Sequence, residues 1–146
     1  MMKASLAALI RLATWRCEDG RRAVSAAAID LEALHDRRRR LAETLVRERL
    51  AARELPWDGV VHDIAAYERR VAAEHGRIAD DLASAEATLA AARDGLANAF
   101  AERRRFELAE AGRRHAELRE RERRERAALD ELALHGHGRI RQIFGN

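Results

Sequence analysis

One short stretch decides the fold: ELPWDG at residues 54–59, which contains the only proline of the chain. Proline disfavours helical geometry at the residue before it, and it supplies no backbone N–H to a helix. Asp58 is a good N-cap for a helix that begins directly after the turn. The sequence therefore predicts a single turn at about residues 55–59, between a first helix at about 4–54 and a second helix that begins at about residue 60.

The composition of the chain favours long helices and a narrow core. Charged residues make up 36% of the 146 residues, and aromatic residues only 4%. Alanine, leucine, arginine and glutamate dominate, and all four are strong helix formers. A short connection between long helices makes them antiparallel neighbours. We therefore predict an all-α fold, a two-helix antiparallel coiled-coil hairpin that takes up residues 1–146 as a single domain.

Apolar and small residues of the first helix recur at alternating steps of four and three, which is the heptad seam of a coiled coil. Arg38 and Glu48 fall on seam positions, where a charged residue costs stability. The other predicted seam residues are Leu6, Ile10, Ala13, Cys17, Gly20, Val24, Ala27, Leu31, Leu34, Leu41, Leu45, Ala52 and Leu55. The first helix is thus expected to pack along one continuous but weak stripe.

The second helix repeats the pattern with one irregularity around Glu74 and His75, which resembles a stutter, an insertion that locally unwinds a supercoil. Its predicted seam residues are Val60, Ile64, Tyr67, Val71, Ile78, Leu82, Ala85, Leu89, Ala92, Leu96 and Phe100. We place the end of this helix near Leu134, before the glycines at 136 and 138, and expect a flexible tail at about residues 135–146.

The two helices are unequal in length, and the surplus lies at the C-terminus. Counting residues outward from the turn places Leu6 opposite Leu108, so the chain beyond about Ala109 lacks an intrachain partner. The apolar seam fails in the same region, because residues 119–126 are all charged. We predict a solvated single helix there. Its surviving apolar stripe of Leu118, Leu129 and Leu132 is a candidate docking face for another protein.

Enzyme chemistry finds no support in the sequence, and no catalytic residue, cofactor or metal ion is expected. The histidines are scattered without the spacing of a zinc site, and His135 and His137 are interpreted as part of a frayed helix end. No glycine-rich phosphate loop is present. No run of about 20 apolar residues is available to cross a bilayer, and no signal peptide is recognisable. The expected protein is intracellular and soluble.

Nucleic acid is not an expected partner, although the net charge is +3. The 28 basic residues are nearly matched by 25 acidic ones, and the two signs are interleaved. Even the densest basic run, residues 37–40, points in several directions around a helix. Three competing hypotheses are nevertheless compatible with the residues. These are an architectural nucleic-acid-binding protein, a generic coiled-coil adaptor, and a homodimer in which the C-terminal helices of two chains pair.

Four segments in fixed order carry a resemblance to a known family. They are LAALIRL at residues 6–12, EDGRRA at 18–23, FAERRRFE at 100–107 and RRERAALDE at 123–131. Together they resemble the FliJ family of flagellar export stalk proteins, which is related to the YscO-type stalks of type III injectisomes. The resemblance covers nearly the whole chain, and an injectisome stalk is the alternative within it.

The resemblance implies a monomeric cytoplasmic hairpin that reaches the inner membrane only indirectly, through its partners. Those partners are the hexameric export ATPase, the cytoplasmic domain of the export gate and export chaperones. It further implies contact with the ATPase through Leu118, Arg123, Leu129, Asp130, Glu131 and Leu132. Contact with the gate is expected at Trp57, Tyr67, Val71 and Ile78. Trp57 has a second interpretation from the residues alone, in which it caps the end of the thin core.

Overall fold

Long runs of strong helix formers flank the proline on both sides, and each run folds as one helix. The computed structural model describes the backbone of residues 2–55 and 58–145, and the side chains of residues 5–55 and 63–145. Helix α1 spans Met2–Arg53 and helix α2 spans Asp58–Phe144. The two helices pack against each other, which confirms the predicted all-α helical hairpin.

Cross-helix contacts show that the helices run antiparallel. Gly20 lies against Leu96, Arg37 pairs with Glu74, and Arg49 donates a hydrogen bond of 2.6 Å from Nε to Glu68 Oε1. Residue numbers thus rise along α1 as they fall along α2. The chain packs as two compact units, one of Leu12–Ala101 and the other of Met1–Arg11 with Glu102–Asn146.

Helix α1 ends close to the predicted turn. The amide N–H groups of Glu54 and Leu55 donate to the carbonyl oxygens of Ala51 and Ala52, each at 3.3 Å, and these short-range bonds tighten its last turn. Leu55 is 57% exposed, so its prediction as a seam residue is wrong: α1 has already ended, and Ala52 is the last half-buried residue of the seam. Trp57 lies outside the described residues, so both interpretations of it stay predictions.

The core of the Leu12–Ala101 unit is thin and pairs small side chains with larger ones. Its buried residues, among the described side chains, are Ala13, Cys17 and Ala27 on α1, and Val71, Ile78, Leu82, Leu89 and Ala99 on α2. Gly20 continues this pattern, because a Cβ atom at this position would lie 3.0 Å from Leu96 Cδ1 and 3.3 Å from Leu96 Cα. The glycine therefore permits the close approach of the two helix backbones on which this narrow core depends.

The stutter predicted in α2 is visible in the burial of its side chains. Val71, Ile78 and Leu82 are buried, and between them both Glu74 and His75 are half-buried. Two neighbouring positions share the helix interface where a regular heptad would bury one. The seam thus slips by part of a turn before Ile78, as expected for a local unwinding of the supercoil.

Among the described side chains of α2, one predicted seam residue is wrong, and the predicted seam residue Val60 lies outside them. Ala99 is buried, whereas Phe100 is 38% exposed. The alternation of four and three continues through Leu96 to Ala99, and a seam through Phe100 would have required a second stutter. The ring of Phe100 instead lies beside the seam, where the Arg21 guanidinium carbon stands 5.2 Å from its centroid in a cation–π contact.

The C-terminal end also differs from the prediction. Helix α2 does not stop near Leu134 but continues to Phe144, so a flexible tail over about 135–146 is wrong for the described residues. Gly136 and Gly138 each cost a helix about 1 kcal/mol relative to alanine, but both retain the backbone N–H that a proline would lack. The helix ends beside Gly145, where a Cβ atom would lie 2.5 Å from the carbonyl oxygen of Arg141.

Candidate partner-binding surface

Intrachain packing of α2 fades after Arg113. Ile10 of α1 lines a shallow groove with Glu107, Glu110 and Ala111 of α2. Half-buried residues recur along this part of α2 at a nearly regular spacing, and Arg113 is the last residue of that row. Among the described side chains beyond it, all are exposed except the half-buried Glu120. Half-burial thus extends a few residues past Ala109, where the sequence placed the limit. We call residues 116–144 the terminal arm, a single helix of roughly 40 Å at 1.5 Å per residue.

Three leucines of the terminal arm form the candidate docking row. Leu118 is 53% exposed, Leu129 65% and Leu132 67%. Successive helix residues are rotated by about 100°, so these three lie within an arc of about 60° on one side of the arm. The helix therefore brings together the apolar part of the predicted ATPase contact.

The polar part of that predicted contact is not gathered on the same side. Arg123, Asp130 and Glu131 each lie more than about 120° around the helix from the middle of the docking row. Arg123 also donates from Nη2 to Glu120 Oε1 at 3.0 Å. All three side chains are exposed, and a single partner can contact both them and the docking row only if it wraps around the arm.

Charges on α2 near the start of the arm are held in local pairs. Arg113 donates from Nη2 to Glu110 Oε1 at 2.6 Å and from Nη1 to Glu117 Oε1 at 2.5 Å, and Arg114 donates to Glu110 at 3.1 Å. The hydrogen bonds from Arg113, reinforced by Arg114, lower the pKa of Glu110 from 4.5 to about 2. Bonds from Arg123 and Arg124 lower the pKa of Glu120 in the same way.

These shifts predict an acid-sensitive hairpin. A carboxylate whose pKa is depressed in the folded chain stabilises it fully above the ordinary value of 4.5, and that contribution is lost as the pH falls towards about 2. We expect the melting temperature to fall between pH 4.5 and 2, as followed by circular dichroism. The melting temperature of Glu110→Gln should fall less than that of the wild type over this interval. Equal decreases in the two proteins would show that Glu110 does not contribute to the acid sensitivity.

The predicted gate contact is only partly accessible. Val71 is 5% exposed and Ile78 is fully buried at 0%, and both side chains pack in the seam between the helices. Their expected role as direct contacts is therefore corrected, because a partner cannot reach them while the hairpin is intact. Tyr67 is half-buried and accessible at its edge. The heptad spacing had already assigned Val71 and Ile78 to the seam, and their burial confirms that assignment.

Sequence reasoning missed an apolar group at the end of the arm. Ile140 is 55% exposed, Ile143 73% and Phe144 81%. With Leu134, His137, Gly138, Arg141 and Gly145, Ile140 and Phe144 line an open surface groove of about 710 Å³. The steps from Leu129 through Leu132 and Gly136 to Ile140 and Ile143 are three, four, four and three. The sequence contains this helical spacing, but the prediction ended the helix before the two glycines and therefore excluded it.

Three of the four arginines in the basic run at residues 37–40 contact neighbouring side chains. Arg37 pairs across the hairpin with Glu74, and Arg39 pairs with Asp36. Arg38 Nη2 lies 3.3 Å from His35 Nδ1. Hydrogen bonds from Arg77, with a further contribution from Arg37, lower the pKa of Glu74. This part of the surface has the character of a salt-bridged helix face.

Side chains that could ligate a metal ion are dispersed along the described residues. No group of three or more histidine, cysteine, aspartate or glutamate side chains is placed to hold a metal ion there. In the same part of the chain, neither helix contains an apolar stretch sufficient to cross a membrane.

The fold and this surface define an all-α helical hairpin whose longer helix carries the candidate docking row. Comparisons with protein-family models, curated proteins and solved structures find no significant match for the chain.

Proposed function

We propose that this chain is a non-enzymatic stalk protein of a flagellar type III export apparatus, of the kind that the FliJ family represents. The order of the four resembling segments supports the family. The inequality of the helices supports the mode of action, because α1 has 52 residues and α2 has 87. The surplus helix presents exposed leucines that the hairpin itself does not cover, and this observation carries the proposal.

The proposed partner of the docking row is the hexameric export ATPase. Leu118, Leu129 and Leu132 supply the apolar contact, and exposed leucines that become buried contribute about 1.5–3 kcal/mol each. The polar residues Arg123, Asp130 and Glu131 lie around the rest of the arm. A subunit ring that surrounds the arm can reach all of these residues, which a flat partner surface cannot.

The other proposed partners are the cytoplasmic domain of the export gate and the export chaperones. With Val71 and Ile78 buried, Tyr67 is the described residue that we retain for gate contact. The surface of the hairpin suits a shaft that turns or slides within its partners. Exposed ion pairs such as Arg49 with Glu68 contribute only about 0–1 kcal/mol each, so no single position in a ring is strongly preferred.

The test is binding to the export ATPase encoded in the same genome. We expect the double substitution Leu129→Ala and Leu132→Ala to weaken binding by at least about 10-fold, because it truncates two leucines that the ATPase would cover. Ile29→Ala is the matched control, since Ile29 is 66% exposed but lies on α1, outside the terminal arm. Affinities are measured by isothermal titration calorimetry, with helicity checked by circular dichroism.

Three results would reject the docking row. They are the absence of ATPase binding by the wild type, wild-type affinity in the double variant, and an equal loss of affinity in Ile29→Ala. A generic coiled-coil adaptor is the alternative in the first case. An injectisome stalk is the alternative if an injectisome ATPase, and not a flagellar one, is bound.

A further inference from the structure

The last turns of α2 differ in charge from the helix before them. Residues 119–131 contain five arginines and five acidic residues, so their charges sum to zero. Residues 132–146 contain two arginines, Arg139 and Arg141, and no aspartate or glutamate. This short segment therefore carries +2 of the net charge of +3. Among the described residues, neither arginine has an ion-pair partner.

Four of the five large apolar side chains of this segment gather on one side of the helix, and only Leu134 lies off that side. Leu132, Ile140, Ile143 and Phe144 fall within an arc of about 120°, which we call the terminal face. Their exposed fractions are 67%, 55%, 73% and 81%. Arg139 borders one edge of the terminal face, and Arg141 lies beyond the other edge. An exposed apolar arc between two cations is the arrangement of a helix that lies in a membrane interface.

We propose that the terminal face binds directly to the surface of an anionic lipid bilayer. The four apolar side chains enter the boundary between headgroups and acyl chains, with the helix axis parallel to the surface. Arg139 and Arg141 extend from the two borders to the lipid phosphates, with their aliphatic stems along the apolar layer. This contact is additional to any partner that the docking row binds, although Leu132 belongs to both surfaces.

Charge favours an anionic surface over a second copy of the chain. An antiparallel pair centred on Gly136 would oppose Leu132 with Ile140 and Leu129 with Ile143, which gives an apolar match. The two-fold axis would, however, place both copies of Arg139 on the same side, about 9 Å apart along the helix axis. Like charges at that separation oppose pairing, whereas anionic lipid attracts both arginines of each chain.

The test uses the full chain and sedimentation with lipid vesicles. Vesicles of phosphatidylcholine mixed with phosphatidylglycerol should bind the wild type, and vesicles of phosphatidylcholine alone should not. The double substitution Ile143→Ala and Phe144→Ala should lower the partition coefficient by at least about 10-fold. Arg139→Gln with Arg141→Gln should lower it on anionic vesicles by about 10-fold or more. Ile29→Ala, which is 66% exposed on α1 and outside the terminal face, should change it less than about 2-fold.

Several outcomes would overturn the proposal. One is no binding to anionic vesicles, and another is equal binding to neutral ones. A third is an equal loss in the Ile29→Ala control. A doubled molar mass by light scattering, returned to that of the monomer by Ile143→Ala and Phe144→Ala, would assign the terminal face to a second copy. The same double variant should still bind the export ATPase, so failure here is distinct from failure of the docking row.

Discussion

Ile78→Ala should destabilise the hairpin by about 2–5 kcal/mol, the largest effect that we expect from a single substitution. Among the described side chains, Ile78 and Cys17 are the largest that are fully buried. Ile78 lies where the stutter places extra side chains in the seam. Truncation removes apolar contacts and leaves a cavity that two stiff helices cannot easily close. Such a loss is a large part of the about 5–15 kcal/mol that stabilises a typical domain.

The matched control for this prediction is Ile29→Ala. Ile29 is the same residue type on the partner helix, but it is 66% exposed. Its truncation should change the free energy of unfolding by less than about 0.5 kcal/mol, because surface substitutions seldom do more. Urea unfolding followed by circular dichroism measures both variants. A wild-type midpoint for Ile78→Ala would show that the seam does not run where Val71, Ile78 and Leu82 place it.

The hairpin itself was predictable because its signals are local and strong. A single proline at residue 56 interrupts two long runs of helix formers, and no other residue could supply a comparable turn. The heptad spacing then assigned most seam residues correctly, including Ala13, Cys17 and Ala27 on α1. At residues 99 and 100 the regular spacing continues to the buried Ala99, but the prediction assigned the larger Phe100 to the seam.

The candidate surface was less predictable, because it depends on where α2 ends and on which side chains the hairpin covers. Two glycines suggested an end near Leu134, but a helix tolerates glycine at a cost that neighbouring residues can offset. The predicted surface therefore omitted Ile140, Ile143 and Phe144. Val71 and Ile78 were added to the gate contact by analogy, although their own spacing placed them inside the seam.

The terminal arm should exchange its backbone amide hydrogens much faster than the paired helices. Amides at 78–89 lie beside the buried Ile78, Leu82 and Leu89, and they exchange only when the hairpin opens. Amides at 121–144 belong to a helix without tertiary contacts among the described residues, and such a helix frays and re-forms readily. We expect protection at 78–89 to exceed that at 121–144 by at least about 100-fold in the free protein.

Hydrogen exchange with and without the export ATPase decides whether the hairpin leaves one helix uncovered for a partner. We expect fast exchange at 121–144 in the free chain. Exchange around Leu129 and Leu132 should slow by at least about 10-fold when the ATPase is added, while exchange at 78–89 should not change. An arm already as protected as 78–89 in the free chain, or one that stays fast in a complex shown to form, would contradict an uncovered docking helix.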